Sequence, residues 1–356
     1  MRHMVLTRKI LAGLSASLLV LAGGASAQAA PINVPWSPDN ALDAEIEFSS
    51  DGSTAYGSLR TPVGETRGAA LLLPGSGPTD RNGNQANGVT PNTLAYIADA
   101  LAEQGIATFR FDKVGSGRTG TTGLDPADPP GFVEQVDMAE AALEVLKERT
   151  GYSSAEVAVL GHSEGALTAL SLKERGSEFG SIGLLEPPAI RYLDLLSLQL
   201  NANYDRGVAA GQLTAEEADG NRARLAESVT ALRSGAHLPY QEDPILTSIG
   251  IAEINAKFLA EADAVDPVGI ASQLPSSTKV LLTCSEKDLN VSCDQIDGLR
   301  DALAGTDVEY ARLANSSHML GELGPLPATG LDIYAPLPLS SEFRGVLDVW
   351  ADSLFR

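Results

Sequence analysis

The chain has 356 residues, 44% of them hydrophobic, and a formal net charge of −21. This hydrophobic fraction is enough for a sizeable core, and the length suits one large domain with an insertion or two domains. The strong negative charge repels nucleic acid and anionic lipid, and we expect no nucleic acid as a partner. The four histidines show no metal-binding spacing, and we expect neither a metal nor another cofactor.

The first 29 residues carry the pattern of a secretory signal peptide. A basic start is followed by an apolar run over 10–22 and by two small-x-small cleavage motifs, which end at Ala27 and Ala29. The basic residues are Arg2, Arg8 and Lys9. An apolar run of about 13 residues is short for a bilayer span, and an uncleaved membrane anchor is the alternative. The pattern predicts a secreted or periplasmic protein with no stable membrane insertion after cleavage.

Beyond this segment, apolar runs alternate with stretches of helical spacing. Two segments of alternating polarity flank Asp51-Gly52, which predicts an antiparallel hairpin over 43–50 and 53–62. Further strands are predicted over 68–74, 106–111, 155–160, 181–186, 279–283 and 308–313, and helices over 93–104, 132–149, 166–173, 294–303 and 341–354. Strands and helices at this spacing imply βαβ units and a mainly parallel sheet. Catalytic groups are then expected at the C-terminal ends of the strands.

The pattern changes between 190 and 273, where helical segments occur without a convincing strand. Helices are predicted over 192–204, 214–234 and 245–262. The second helix begins with a capping box, in which Thr214 is followed three residues later by Glu217. We interpret 190–273 as a helical cap that divides the core into 30–189 and 274–356. An independent helical domain is the alternative.

The pattern Gly-x-Ser-x-Gly at 161–165 lies between a predicted strand and a predicted helix. In this context the two glycines permit a strained turn, which exposes the hydroxyl of Ser163 above the sheet as a nucleophile. The pentapeptide alone is a weak signal, and an ordinary surface serine is the alternative. The flanking strand and helix make the interpretation of Ser163 as a nucleophile much stronger.

A serine hydroxyl is a poor nucleophile at neutral pH, so it needs a base that is itself oriented by a carboxylate. His318, in the loop after the last predicted strand, is the predicted base. Asp288, in the loop after the preceding strand, is the predicted acid. The alternatives are His162 and His237 for the base, of which we expect the first to be structural, and Glu286 and Asp294 for the acid.

A tetrahedral intermediate needs hydrogen-bond donors for its negatively charged oxygen. The backbone N–H of Glu164, directly after the serine, is the predicted first donor. The second is predicted in the loop after the strand over 68–74, where Ser76 is our choice and Gly77 the next. A phosphate-binding loop is an alternative for this segment, but no Lys-Ser or Lys-Thr pair follows it.

With these motifs the chain resembles the α/β-hydrolase superfamily, in particular bacterial carboxylesterases close to the serine-aminopeptidase-like branch. The stretches that carry the resemblance are 74–84, 110–113 with 115–117, 161–165 and 315–318. The resemblance implies an α/β-hydrolase fold, with a mainly parallel central sheet flanked by helices and with a helical cap insertion. It also implies ester hydrolysis through an acyl-enzyme, with a triad of Ser163, Asp288 and His318. The usual His-Gly ahead of the oxyanion residue is here Pro74-Gly75.

The predicted function is hydrolysis of a small-molecule carboxylic ester. A peptidase or amidase, a thioesterase and a lactonase fit the same triad, and a non-catalytic binding protein is the alternative from another class. A pair of glutamates in the cap would favour a peptidase, but Glu216-Glu217 belongs to the capping box. Sequence leaves the oligomeric state open.

The chain has two cysteines, Cys284 and Cys293. Export would place them in an oxidising compartment, where a disulfide across this short loop is expected. Such a loop would contribute about 2–3 kcal/mol on the chain-entropy model. Two reduced, buried thiols are the alternative.

Overall fold

The computed structural model describes residues 43–125 and 127–355, so the predicted signal peptide lies outside the described residues. The described strands are β1 (Asp43–Ser50), β2 (Ser53–Arg60), β3 (Gly68–Leu73), β4 (Ile106–Phe111), β5 (Val157–His162), β6 (Ser181–Leu185), β7 (Lys279–Ser285) and β8 (Asp307–Leu313). They form one sheet in the order β1-β2-β4-β3-β5-β6-β7-β8. The hairpin β1–β2 joins β4 antiparallel, and β3 to β8 are parallel to one another. The predicted α/β-hydrolase fold class is confirmed.

Local sequence accounts for the hairpin and for the central strands. Asp51 and Gly52 both have positive φ, 47° and 76°, as a tight two-residue hairpin turn requires. Every residue of β3, β4 and β5 is buried. A strand covered on both faces reads as a continuous apolar run rather than as an alternating one, and such runs predicted these strands.

The described helices are α1 (Thr93–Glu103), α2 (Phe132–Thr150), α3 (Glu164–Glu174), α4 (Tyr192–Ala209), α5 (Ala215–Ser234), α6 (Pro244–Ser248), α7 (Ala256–Ala264), α8 (Pro267–Ala271), α9 (Cys293–Ala302) and α10 (Ser341–Leu354). The apolar faces of α1 and α10 pack on one side of the sheet. Those of α2, α3 and α9 pack on the other. Within the described residues, no helix is both long and apolar enough to cross a bilayer.

Helices α4 to α8 lie between β6 and β7, in the segment predicted to be helical. Helix α4 packs against α5 and α7, and α7 also packs against α2 of the core. The predicted continuous helix over 245–262 is wrong. Helix α6 ends at Ser248, a short 3-10 turn covers Glu253–Asn255, and α7 begins at Ala256. The break follows from Gly250, whose φ of 85° is incompatible with a right-handed helix.

A disulfide joins Cys284, in β7, to Cys293, the first residue of α9. It closes a loop with a sequence separation of nine residues. Asp288 lies inside this loop. The covalent link therefore ties both ends of the segment that carries the predicted acid to regular secondary structure.

Candidate active site

The Gly-x-Ser-x-Gly segment forms a sharp turn between β5 and α3. Ser163 lies at its apex with φ 52° and ψ −124°, a conformation that is strained for any residue except glycine. A Cβ on Gly161 would lie 2.1 Å from the carbonyl oxygen of Gly165. A Cβ on Gly165 would lie 2.3 Å from the carbonyl oxygen of Leu73. Both positions therefore need glycine so that α3 can approach β5 and β3 closely.

We expect Gly165→Ala to destabilise the fold by about 3 kcal/mol or more, because the new methyl group meets the backbone of Leu73 and Pro74, and no side-chain rotation can relieve that contact. The matched control is Gly298→Ala, an exposed position in α9 where a Cβ meets no atom within 4 Å. That change should stabilise by about 0.5–1 kcal/mol, since alanine is the better helix former. Urea unfolding measures both. An unfolding midpoint for Gly165→Ala equal to that of the unchanged protein would contradict the steric argument.

The structure brings Ser163, His318 and Asp288 into one hydrogen-bonded chain. His318 Nε2 lies 3.1 Å from Ser163 Oγ, and His318 Nδ1 lies 2.6 Å from Asp288 Oδ2. The three residues follow β5, β8 and β7, whose carboxyl ends meet at the same edge of the sheet. With Nδ1–H donating to the carboxylate, the lone pair of Nε2 faces the serine hydroxyl. This arrangement lets the imidazole accept the serine proton.

The geometry also distinguishes His318 and Asp288 from three of the alternative base and acid residues. His237 is 89% exposed and pairs with Glu253 on the surface of the insertion. Glu286 pairs with Arg312, also at the surface. The remaining alternative acid, Asp294, is exposed near the start of α9. None of these three alternatives takes part in the contacts of the Ser163 hydroxyl that the structure describes.

His162 is buried beside the serine turn and has a structural contact. Its Nε2–H donates to the backbone carbonyl of His318, at 2.8 Å. Burial, together with the nearby imidazole of His318, lowers the pKa of His162 to about 3. It is therefore neutral at physiological pH and holds the loop that presents His318.

The electrostatics around His318 raise its basicity. Burial lowers the pKa of His318, but the charge of Asp288 and its hydrogen bond outweigh burial, so the pKa lies above 6.5. Asp288 is held in turn, because its Oδ1 accepts the N–H groups of Asn290 and Val291 at 2.6 and 2.9 Å. A carboxylate so fixed can orient the imidazole and stabilise its protonated form.

A second buried carboxyl, that of Glu186, was missed by the sequence analysis. It directly follows β6, with a positive φ of 51°, and accepts hydrogen bonds from the backbone N–H and the hydroxyl of Ser285 at 2.7 and 3.0 Å. Burial, followed by the charge of Asp288, raises the pKa of Glu186 to about 8. Glu186 anchors the end of β7, from which the Asp288 loop departs. An acidic residue directly after an apolar strand run was the available signal.

The loop after β3 lies against the serine turn. A Cβ on Gly75 would lie 3.4 Å from the Cβ of Ser163, which is ordinary van der Waals contact and shows how close the loop lies to the serine. Neither Ser76 nor Glu164 donates its backbone N–H to another of the described residues. Glu164 is the first residue of α3, where the helix leaves N–H groups unpaired and favours negative charge. Of the two predicted oxyanion donors, Glu164 directly follows Ser163, and Ser76 directly follows Gly75 in the loop that lies against the serine turn.

No cluster of metal-ligating side chains occurs in the parts of the chain that the structure describes. The strand order, the serine at the sharp turn after β5 and the histidine after β8 define the class: this protein is an α/β hydrolase. Residues 90–321 match the model of the family described as serine aminopeptidase, S33, and the chain belongs to that family. The family resemblance predicted from sequence is confirmed.

Solved structures show the same fold at low sequence identity. The esterase Pf2001 of Pyrococcus furiosus superposes with a TM-score of 0.53 and 13% identity, over 90% of this chain and 97% of that chain. A thermostable carboxyl esterase of Bacillus coagulans gives a TM-score of 0.50 and 15% identity, over 76% of this chain and 90% of that chain. Among curated protein sequences, none matches this chain.

Proposed function

We propose that this hydrolase cleaves small carboxylic esters through an acyl-enzyme on Ser163. The observation that carries the proposal is the buried contact chain from Ser163 through His318 to Asp288, at 3.1 and 2.6 Å. No other arrangement within the described residues joins a serine hydroxyl, an imidazole and a carboxylate in this way. A binding protein on the same fold would have no use for all three groups.

In the proposed first step, Ser163 Oγ attacks the ester carbonyl carbon while its proton moves to His318 Nε2. The resulting oxyanion would accept hydrogen bonds from the N–H groups of Ser76 and Glu164. His318 then returns the proton to the departing alkoxide, which leaves as the alcohol. In the second half, His318 removes a proton from water, the hydroxide attacks the acyl carbon, and Ser163 recovers its proton as the acid departs.

The charges favour an ester over an N-terminal peptide. An aminopeptidase needs a carboxylate that is free to bind the substrate's ammonium group. Glu217 is bound to the backbone and hydroxyl of Thr214, and its neighbour Glu216 is exposed on α5. The buried Asp263 is paired with both Arg191 and Arg233. Glu217 and Asp263 are therefore not free to bind an ammonium group, and Glu216 is exposed to solvent.

The experiment is a substrate panel of p-nitrophenyl acyl esters, thioesters, lactones and aminoacyl amides on the purified protein. We expect acyl esters to give the highest kcat/KM. Turnover of amides alone would contradict the ester proposal while leaving a serine hydrolase. Preference for thioesters or lactones would reassign the substrate class on the same triad.

We also propose that the enzyme acts outside the cytoplasm, secreted or in the periplasm. The sequence of the first 29 residues and the Cys284–Cys293 disulfide both suit an oxidising compartment. N-terminal sequencing of the exported protein should begin at residue 28 or 30. A protein found only in the cytoplasm would contradict export.

A further inference from the structure

A buried polar cluster includes Glu164 and contacts Ser76, the two predicted oxyanion donors, and no motif in the sequence indicates it. Its centre is the fully buried carboxylate of Glu164. One oxygen accepts from Lys113 Nζ at 2.8 Å and from Gln135 Nε2 at 3.0 Å. The other accepts from the hydroxyl of Tyr192 at 2.7 Å. Tyr192 is the first residue of α4, so the inserted helices contribute directly to this cluster.

The protonation states in this cluster follow from its contacts. Burial raises the pKa of Glu164, but the charge and hydrogen bond of Lys113 and the hydrogen bonds of Tyr192 and Gln135 outweigh it, so the pKa is lowered. Burial and then the charge of Glu164 raise the pKa of Tyr192 well above 10. Glu164 is therefore an anion and Tyr192 a neutral donor throughout the physiological range.

The same cluster also holds the loop after β3. Lys113 Nζ donates to the backbone carbonyl of Gly75 at 3.1 Å, and the oxygen of Tyr192 lies 3.2 Å from Ser76 Oγ. A phenol has one proton, and the carboxylate at 2.7 Å is the stronger acceptor. The hydroxyl of Ser76 consequently donates to the oxygen of Tyr192. One tyrosine thus contacts both residues that are predicted to supply the oxyanion N–H groups.

We propose that Tyr192 is a positioning residue of the oxyanion site, which holds the Ser76 loop and Glu164 at a fixed spacing through its hydroxyl. The inference rests on the proposed function, because it concerns the donors for that reaction. Oxyanion donors act mainly on the transition state, and a displacement of either N–H weakens a contact that the ground state hardly uses. Tyr192 therefore affects kcat, through Ser76 and Glu164, rather than substrate affinity.

The test is Tyr192→Phe, which removes the hydroxyl and keeps the ring, including its edge-on contact with Phe258 at 6.3 Å. We expect kcat on the best ester to fall about 10- to 100-fold, somewhat less than for loss of a direct oxyanion donor, with KM within about twofold. The matched control is Tyr204→Phe, in the same helix. The buried hydroxyl of Tyr204 has no hydrogen-bond partner among the described residues, so its removal should leave kcat unchanged.

Ser76→Ala removes the other hydroxyl of the Tyr192–Ser76 contact and keeps the backbone N–H of residue 76. If Tyr192 acts on the loop through this hydroxyl, the double variant Ser76→Ala/Tyr192→Phe should lose less activity than the product of the two single losses. A wild-type kcat for Tyr192→Phe, or a rise in KM alone, would overturn the inference, as would fully multiplicative losses in the double variant.

Labelling with a fluorophosphonate separates failure of this inference from failure of the proposed function. Wild type and Tyr192→Phe should both be labelled to completion at Ser163 with excess probe, which also shows that the variant is folded. An unlabelled wild type overturns the serine-hydrolase proposal and this inference with it. Complete labelling of both proteins together with equal kcat values overturns only the role of Tyr192.

Discussion

Replacing Ser163 by alanine is expected to lower kcat by about 10⁶-fold, the order found when a triad nucleophile is removed. The loss is this large because the acyl-enzyme route is closed, and His318 and Asp288 have no serine left to activate. The fold should remain intact, since the change removes one oxygen and leaves the turn's backbone in place. Initial rates on the best ester measure the loss, and circular dichroism and thermal unfolding check the fold.

Ser171→Ala is the matched control for this loss. Ser171 lies in α3, two turns beyond the serine turn, and its buried hydroxyl has no hydrogen-bond partner among the described residues. Its replacement should leave kcat and KM unchanged. Residual ester turnover by Ser163→Ala within tenfold of wild type would assign the chemistry to another group and remove the basis of the proposed function.

Most of the fold was readable from sequence because the sheet is buried on both faces. The strand predicted over 106–111 is found as Ile106–Phe111, with every residue buried. Gly105, with a φ of 73°, separates it from α1, as the glycine after a helical pattern indicates. Apolar runs and glycine stops are local signals. They are enough to predict a strand or helix when the apolar residues of its sequence pattern are the ones that are buried.

The inserted helices were less predictable for a physical reason. Their helical spacing extends across 245–262, but Gly250 has a positive φ that interrupts the helix, and the next α-helix, α7, begins at Ala256. A single glycine inside a periodic pattern is tolerated in some helices, so the pattern alone does not decide. Helix α7 packs against α2 and α4, and such tertiary contacts do not appear in any local stretch of sequence.

In the candidate site too, some residues could be predicted from sequence and others could not. Ser163 is marked by a local motif, and Asp288 and His318, predicted from the order of the loops, lie in one hydrogen-bonded chain with it. Glu186 reaches Ser285 across 99 residues, and Tyr192 reaches Ser76 across 116. Such long-range contacts leave no periodicity or spacing in a single sequence, which is why these supporting groups emerged only from the structure.

Replacing Asp288 by asparagine is expected to lower kcat by about 10⁴-fold and to shift the pH profile. His318 must be neutral to accept the serine proton, so kcat/KM falls as the pH drops through its pKa, which lies above 6.5 in the folded protein. Asp288 supplies the charge and the hydrogen bond that outweigh the lowering by burial. Without that carboxylate, burial dominates, the pKa of His318 falls, and the acid limb of kcat/KM moves to lower pH.

Glu286→Gln is the matched control, because Glu286 is an exposed acid in the same loop and pairs with Arg312. This substitution should change neither kcat nor the pH at which the acid limb of kcat/KM lies. The groups that face His318 besides Asp288 are His162, neutral above about pH 3, and Glu186, which is mostly protonated below its pKa of about 8 and raises the pKa of His318 only when ionised. With Asp288 gone, ionisation of Glu186 becomes easier, which offsets part of the shift without reversing it. An acid limb that stays in place in Asp288→Asn would show that the titrating group is not His318 held by this carboxylate.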